Sequence, residues 1–414
     1  MNRGNSALSA WVLRPVTWHV WGALAAVLVA GVVRVGLRFS GGGMDNAIVV
    51  RAAGTWLDGG SPYGDRHFLY LPGAVLAAVP QALLPPGVLR FLVPAVVTGA
   101  LVVGWGCALR IYGVPWRSRF AVGGLLGLAL GFAPFGHLVE LGNWTVVSAA
   151  ALPAALLCVC RGRWGPAGLV IGAAVALKPL LAPVLLLFVF ARRWRALSVA
   201  LLVPLGVSAG AALLMPDPAG FFTRTLPFLL RGHDSFVRLY EASPAAVLPR
   251  FGVGQGAATL LAAGAAVAGV WCAWRRWERD GARGWEPDGA GAWGSAAAAR
   301  VVETAVLLML AAFLVSRPSY DHYLLVVVPL LLAGALSGPG AVARDPWFWL
   351  ALLPQVPGFG WPWLEAGTRR AFKDAVTLCV LVVTVARTCV RKRRVTLQVA
   401  EPPEVAVPVS RSAF

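Results

Sequence analysis

The chain has 414 residues, of which 58% are hydrophobic and 13% charged, against about 25% charged in ordinary soluble domains. Its mean hydropathy is +0.72. This composition excludes a soluble enzyme, because stretches approaching the roughly 20 apolar residues that a bilayer core requires recur along the chain between short polar breaks. The formal net charge is +18, and of the 36 basic residues only Lys178, Lys373 and Lys392 are lysines. The arginines are scattered over short loops and form no continuous soluble face, so nucleic-acid binding is excluded too.

The sequence predicts an all-α polytopic integral membrane protein. Residues 1–15 read as a cytoplasmic N-terminus, and residues 16–36 as a retained first span, since Arg3 and Arg14 precede an apolar run without a small-x-small cleavage site. Residues 37–68, polar and Gly-rich, form a first outer loop with room for one or two short helices along the membrane surface. Apolar segments follow at 69–85, 88–110, 120–138, 144–160, 166–177, 180–191, 196–215, 257–274, 301–315, 324–336, 347–360 and 374–390. Basic flanks at Arg117/Arg119, Arg161/Arg163, Arg192/Arg193/Arg195, Arg275/Arg276/Arg279 and Arg391 to Arg394 place those breaks in the cytoplasm by the positive-inside rule.

The membrane domain is expected to run from 16 to 390 with about 11 to 13 spans. Parity requires segment 69–85, which carries Pro72, Pro80 and Pro85, to be re-entrant or paired with another crossing. The pair 166–177 and 180–191 is broken at Lys178-Pro179, because proline removes a backbone donor and kinks a helix, and such breaks at membrane depth line protein-enclosed cavities. Loop 216–256 is placed outside. Segment 275–300 reads as a cytoplasmic linker, and 391–414 as a basic, disordered cytoplasmic tail. The cysteines lie in apolar segments or at their ends, so no disulfide framework or zinc site is expected.

Chemistry is sought where ionisable groups meet the membrane, since such groups are costly there and tend to be paired or functional. Asp45 follows Gly41-Gly42-Gly43, a run that lets backbone approach a ligand closely, and its carboxylate suits a general base for a sugar hydroxyl. It equally suits an N-cap for a helix beginning at Asn46. Lys178 is the one lysine in the hydrophobic body and serves either as a point charge for phosphate or as a snorkelling interface residue. Glu140 and Asn143 mark an outer span boundary. Asp321-His322, between Tyr320 and Tyr323, offers donors for a leaving phosphate and ring faces for a sugar. Phosphate-loop, dinucleotide, zinc-protease and serine-hydrolase signatures are missing.

The order of motifs then becomes informative: Asp45, Leu57-Asp58-Gly59-Gly60-Ser61-Pro62-Tyr63, Phe68-Leu69-Tyr70-Leu71-Pro72, Gly142-Asn143, Ala176-Leu177-Lys178-Pro179 before an Arg-Arg-Trp-Arg stop, and Ser319-Tyr320-Asp321-His322-Tyr323. This series resembles the family-87 glycosyltransferases over roughly residues 10 to 390. Where the family commonly has Tyr-Pro-Pro and Gly-Gln, this chain has Tyr70-Leu71-Pro72 and Gly142-Asn143; the second keeps an amide on a shorter stem. The resemblance implies a GT-C-type helical bundle whose first outer loop carries a catalytic aspartate. It further implies a multi-pass protein of the cell membrane, working on the extracytoplasmic side.

The family includes actinobacterial mannosyltransferases that use polyprenyl-phosphate mannose, so the resemblance implies an inverting hexosyltransferase, with mannose as the sugar. The donor would be a polyprenyl-phosphate sugar and the acceptor a glycolipid or glycan among the membrane lipids. No cofactor or metal is called for, since the leaving group is already a lipid phosphate. By position, Asp45 looks like the family's base, while Lys178, His322, Asp321, Asn143, Tyr63, Tyr70 and Arg250 look like phosphate- or sugar-contacting groups. A pentosyl (arabinosyl) transferase of the same fold is the near alternative. A transporter or flippase of a lipid-linked sugar is the distant one, but the inverted repeats with matching breaks that would favour it are not seen.

Overall fold

The structure is a computed structural model that describes residues 3–231, 239–279, 294–338, 340–365, 369 and 371–390. Among the described residues it is helical without a strand, as apolar segments in lipid must be when every backbone N–H and C=O has to find an internal partner. Within the expected N-terminal segment lies α1 (Arg3–Leu13), followed by α2 (Trp18–Arg38). Leu37, Val29 and Trp18 of α2 are among its exposed side chains, the face that meets lipid.

Among the described residues five helices are long and apolar enough to cross a membrane: α2, α5 (Pro86–Ile111), α11 (Trp194–Leu213), Gln255–Arg279 and Ser295–Val315. A sixth crossing is available to α6 (Arg119–Gly131) and α7 (Ala133–Leu141) taken together, although the pair bends by 68° between them. The break falls at Phe132, which is extended (φ −130°, ψ 101°), and Pro134 in the first turn of α7 has no N–H with which to continue the hydrogen bonds of α6. Of the other apolar segments counted toward 11 to 13 spans, four are present as shorter pieces, α8 (Thr145–Val159), α9 (Trp164–Leu177), Pro179–Phe190 and Asp321–Leu336; segment 347–360 holds the short helix Pro346–Leu352, and 374–390 lies in the 19-residue helix Phe372–Val390. Segment 69–85 contains α4 (Pro72–Ala82), whose 11 residues reach only about 16 Å, half the thickness of the hydrocarbon core.

The break foreseen at Lys178-Pro179 is present. Helix α9 stops at Leu177, Lys178 is extended (φ −143°, ψ 119°), and Pro179–Val184 is a 3-10 turn leading into α10 (Leu185–Phe190). The core is built around Ser295–Val315, every residue of which from Ala298 to Ala311 is buried. A helix hydrophobic all round belongs in such a centre. Small residues let neighbours approach: a Cβ on Gly104 would lie 2.7 Å from the Ala149 carbonyl oxygen, and one on Gly168 2.4 Å from that of Ala196, the close packing expected between membrane helices.

Two loop boundaries differ from the sequence expectation. The linker expected over 275–300 is helical at both ends, since Gln255–Arg279 and Ser295–Val315 extend into it. Arg276 there donates to Glu303 at 2.7 Å, each side chain 9% exposed; a buried ion pair explains why a charged stretch stays in the bundle. Among the described residues of loop 216–256 are the short helical turns Leu226–Arg231, Pro244–Val247 and Leu248–Phe251. The tail 391–414 lies outside the described residues.

Candidate functional site

Helix α3 (Met44–Leu57) occupies the first loop, and Asp45 sits in its first turn. The N-cap is Gly43, which has no side chain, and Asp45 does not cap the helix. Gly41, Gly42 and Gly43 all have positive φ (74°, 81° and 99°). Gly41 faces open space, but what Gly42 and Gly43 approach is protein: a Cβ on Gly43 would stand 2.4 Å from the Leu141 carbonyl, and one on Gly142 2.1 Å from the Gly42 oxygen. The glycine run, expected to admit a ligand, instead presses against the turn between α7 and α8, where Gly142 is left-handed (φ 61°). That contact sets Asn143 against Asp45 and Trp144 against Asn46.

The polar side chains there form one chain. Asn143 Nδ2 donates to Asp45 Oδ2 at 2.5 Å; Asn143 Oδ1 accepts from the Thr145 backbone N–H at 2.7 Å and from Lys178 Nζ at 2.9 Å. Lys178 Nζ also donates to Thr145 Oγ1 at 2.7 Å. Trp144 Nε1 donates to Asn46 Oδ1 at 3.0 Å, a second rung beside the first. Asp45 is half-buried, and its Oδ1 has no hydrogen bond among the described residues. An acid in the first turn of a helix is also favoured by the helix dipole.

The Lys178 ammonium is bracketed by aromatic faces, 5.7 Å from the Tyr70 ring centre and 5.2 Å from that of Tyr323, within the range of cation–π attraction. Tyr63 stands behind Tyr70 and donates its hydroxyl to the Tyr70 carbonyl at 3.4 Å. Burial, and then the nearby Asp217 carboxylate, push the Tyr63 phenol well above its ordinary range, so it remains a neutral donor. Tyr323 meets Tyr320 and His322 edge-on at 5.7 and 5.2 Å, and Tyr320 stacks on His322 at 5.3 Å. His322 is 2% exposed. Its Nδ1 lies 3.4 Å from Asp321 Oδ1 without hydrogen-bond alignment, and among the described residues neither ring nitrogen has a hydrogen-bond partner. Asp321 is engaged elsewhere, accepting from the His322 backbone N–H at 2.7 Å and pairing with His137.

Of the residues singled out from sequence, Asp45, Asn143, Lys178, Tyr70 and His322 thus gather around one aromatic layer, with Tyr63 and Asp321 supporting it. Both ends of the Asn143 amide are used within the protein, so little of it is left for a sugar. Arg250 stands apart, on the turn Leu248–Phe251, where it donates to the Leu239 carbonyl at 3.3 Å. Glu140 faces Arg34 at 3.6 Å and Arg38 at 4.0 Å. Sequence reasoning missed Thr145, the Asn46–Trp144 rung and His137. Thr145 carried no signal beyond its place two residues after Asn143, whereas His137, an imidazole inside an apolar segment, was open to notice.

A family model for glycosyltransferase family 87 matches residues 68–286. That stretch takes in Tyr70, Asn143, Lys178 and Arg250 and leaves Asp45, Asp321 and His322 outside. Among curated relatives, an alpha-(1->3)-arabinofuranosyltransferase of Mycobacterium tuberculosis (strain ATCC 25618 / H37Rv) is 37% identical over 183 residues, 42% of this chain and 41% of the relative. One of Corynebacterium glutamicum is 31% identical over 172 residues, 41% of each chain. One of Mycolicibacterium smegmatis is 30% identical over 174 residues, 42% of this chain and 40% of the relative. The chain therefore matches about two fifths of the length of these relatives. No solved structure matches it.

Proposed function

The chain belongs to glycosyltransferase family 87, and we propose that it transfers an arabinofuranosyl residue from a polyprenyl-phosphate donor to a glycan or glycolipid acceptor at the outer face of the membrane. The relatives' names favour arabinofuranose, and an alpha-(1->3) linkage, over the mannose that the motif order alone implied. The observation that carries the chemistry is the state of Asp45: one oxygen is anchored by Asn143 while the other is free, as a general base requires.

In the proposed reaction Asp45 Oδ1 takes the proton of the acceptor hydroxyl as that oxygen attacks the anomeric carbon. The bond from that carbon to the phosphate oxygen breaks on the opposite side, the configuration inverts, and the polyprenyl phosphate departs with the bonding electron pair. Lys178, held as a cation between two ring faces, and His322, whose Nε2 has no hydrogen-bond partner among the described residues, are the groups positioned to take up the charge gathering on that phosphate. Tyr70, Tyr320 and Tyr323 supply faces for the sugar.

The test supplies membranes containing the protein with radiolabelled polyprenyl-phosphate arabinofuranose in one arm and polyprenyl-phosphate mannose in the other, both with lipid and glycan extract as acceptor. Label from the arabinofuranose donor alone is the expected result. Transfer from the mannose donor alone would return the sugar assignment to a hexose, and transfer from neither would contradict the donor class.

A further inference from the structure

The candidate base and the candidate phosphate-binding cation are kept apart by a neutral amide, and this arrangement has a physical logic of its own. A carboxylate only accepts hydrogen bonds and an ammonium only donates them. The Asn143 amide between Asp45 and Lys178 is therefore oriented without ambiguity, Nδ2 toward the anion and Oδ1 toward the cation. Asn143 is 3% exposed and Thr145 fully buried. In such surroundings an opposite charge pair with nothing between its members is drawn into contact, because Coulomb attraction grows as the dielectric falls. Direct contact would occupy the base and the cation with each other. Among the described residues no ion pair joins them.

We propose that Asn143 and Thr145 are positioning residues of this site: Asn143 spaces Lys178 from Asp45 and leaves Asp45 Oδ1 open to the acceptor, and Thr145 holds both the spacer and the cation. Thr145 does so twice, its N–H fixing Asn143 Oδ1 at 2.7 Å and its hydroxyl accepting from Lys178 at 2.7 Å. The inference rests on the reading of Asp45 as base and Lys178 as phosphate-binding group. It separates two effects. The spacing acts on both base and cation and so on kcat and donor KM together, whereas the grip of the Thr145 hydroxyl on Lys178 acts on the donor phosphate and belongs to its KM alone.

The experiment measures transfer in membranes for Asp45→Asn, Asn143→Ala and their double variant, and for Thr145→Val beside Thr145→Ser. Asn143→Ala is expected to lower kcat by about 10- to 100-fold, the scale of a misplaced catalytic group, and to raise donor KM as well, because the collapsed pair occupies Lys178 too. In the Asp45→Asn background the same change is expected to add nothing further, since residues acting as a unit are non-additive. Thr145→Val preserves shape but removes the hydroxyl; it should raise donor KM about 5-fold or more, and Thr145→Ser should restore it. If Asn143→Ala costs as much without the Asp45 carboxylate as with it, or if Thr145→Ser is as impaired as Thr145→Val, the positioning roles are overturned. An Asp45→Asn protein with wild-type turnover overturns the base assignment beneath them, a different and recognisable failure.

Discussion

His322 offers the sharpest test at the scale of single residues. Its imidazole is buried and stacked on Tyr320, yet among the described residues neither nitrogen is hydrogen-bonded, an arrangement that costs desolvation and returns little to the fold by itself. Replacing it with Phe keeps the stack and discards the nitrogens. His322→Phe is therefore expected to unfold within about 0.5 kcal/mol of wild type or above it, while transfer falls by about 10- to 100-fold. Thermal unfolding in detergent and label transfer check the two halves separately. A protein that unfolds earlier but transfers normally would assign His322 to packing. Lys178 gives a second test, because Nζ donates to two oxygens between two rings. A planar guanidinium does not reproduce that compact geometry, so Lys178→Arg is expected to lose about as much donor affinity as Lys178→Met, read as KM for the donor.

The glycine contacts decide how elements meet. Gly42, Gly43 and the Gly142 turn lock α3 to the joint between α7 and α8, and Gly142 is left-handed, with a Cβ there falling only 2.1 Å from the Gly42 oxygen. Gly142→Ala is expected to cost about 1–2 kcal/mol from conformation alone, more from the clash, and to reduce transfer by displacing Asn143; unfolding and transfer should fall together. At the opposite kind of joint, Glu303→Ala leaves the Arg276 charge buried, which typically costs about 3–5 kcal/mol. A lowered unfolding temperature without altered donor KM in the surviving protein is the expected signature, since this pair lies outside the chain of contacts around Asp45. The elements that sequence made legible were those with a local cause: the stop before Pro179, the apolar segments, the helix in the first loop. What sequence left hidden was the partner of each element. A glycine triplet announces close approach without saying to what, and here it approaches the Gly142 backbone. Arginines at 275 to 279 read as a loop because their counter-charge, Glu303, is 27 residues away from Arg276.

At the scale of the whole molecule the chain is an all-α membrane protein whose buried centre is one apolar helix, Ser295–Val315, with the polar site gathered at the ends and breaks of shorter helices around it. Composition and hydropathy are enough for the class, because lipid allows few alternatives. They are not enough for span number, since a proline-broken segment such as Pro179–Phe190 has the apolar content of a crossing without its length. The site was legible as a set of residue types in order, and Asp45, Asn143 and Lys178 do meet; that they meet through one amide is tertiary information no spacing carries. The central claim, that Asp45 is the base of a sugar transfer, is tested most directly by comparing wild type with Asp45→Asn in membranes given radiolabelled polyprenyl-phosphate arabinofuranose. Asparagine keeps the size and the contact to Asn143 while removing the proton acceptor. The account predicts a loss of about 10²- to 10⁴-fold in label transfer at unchanged unfolding temperature, and equal transfer by the two proteins would contradict it.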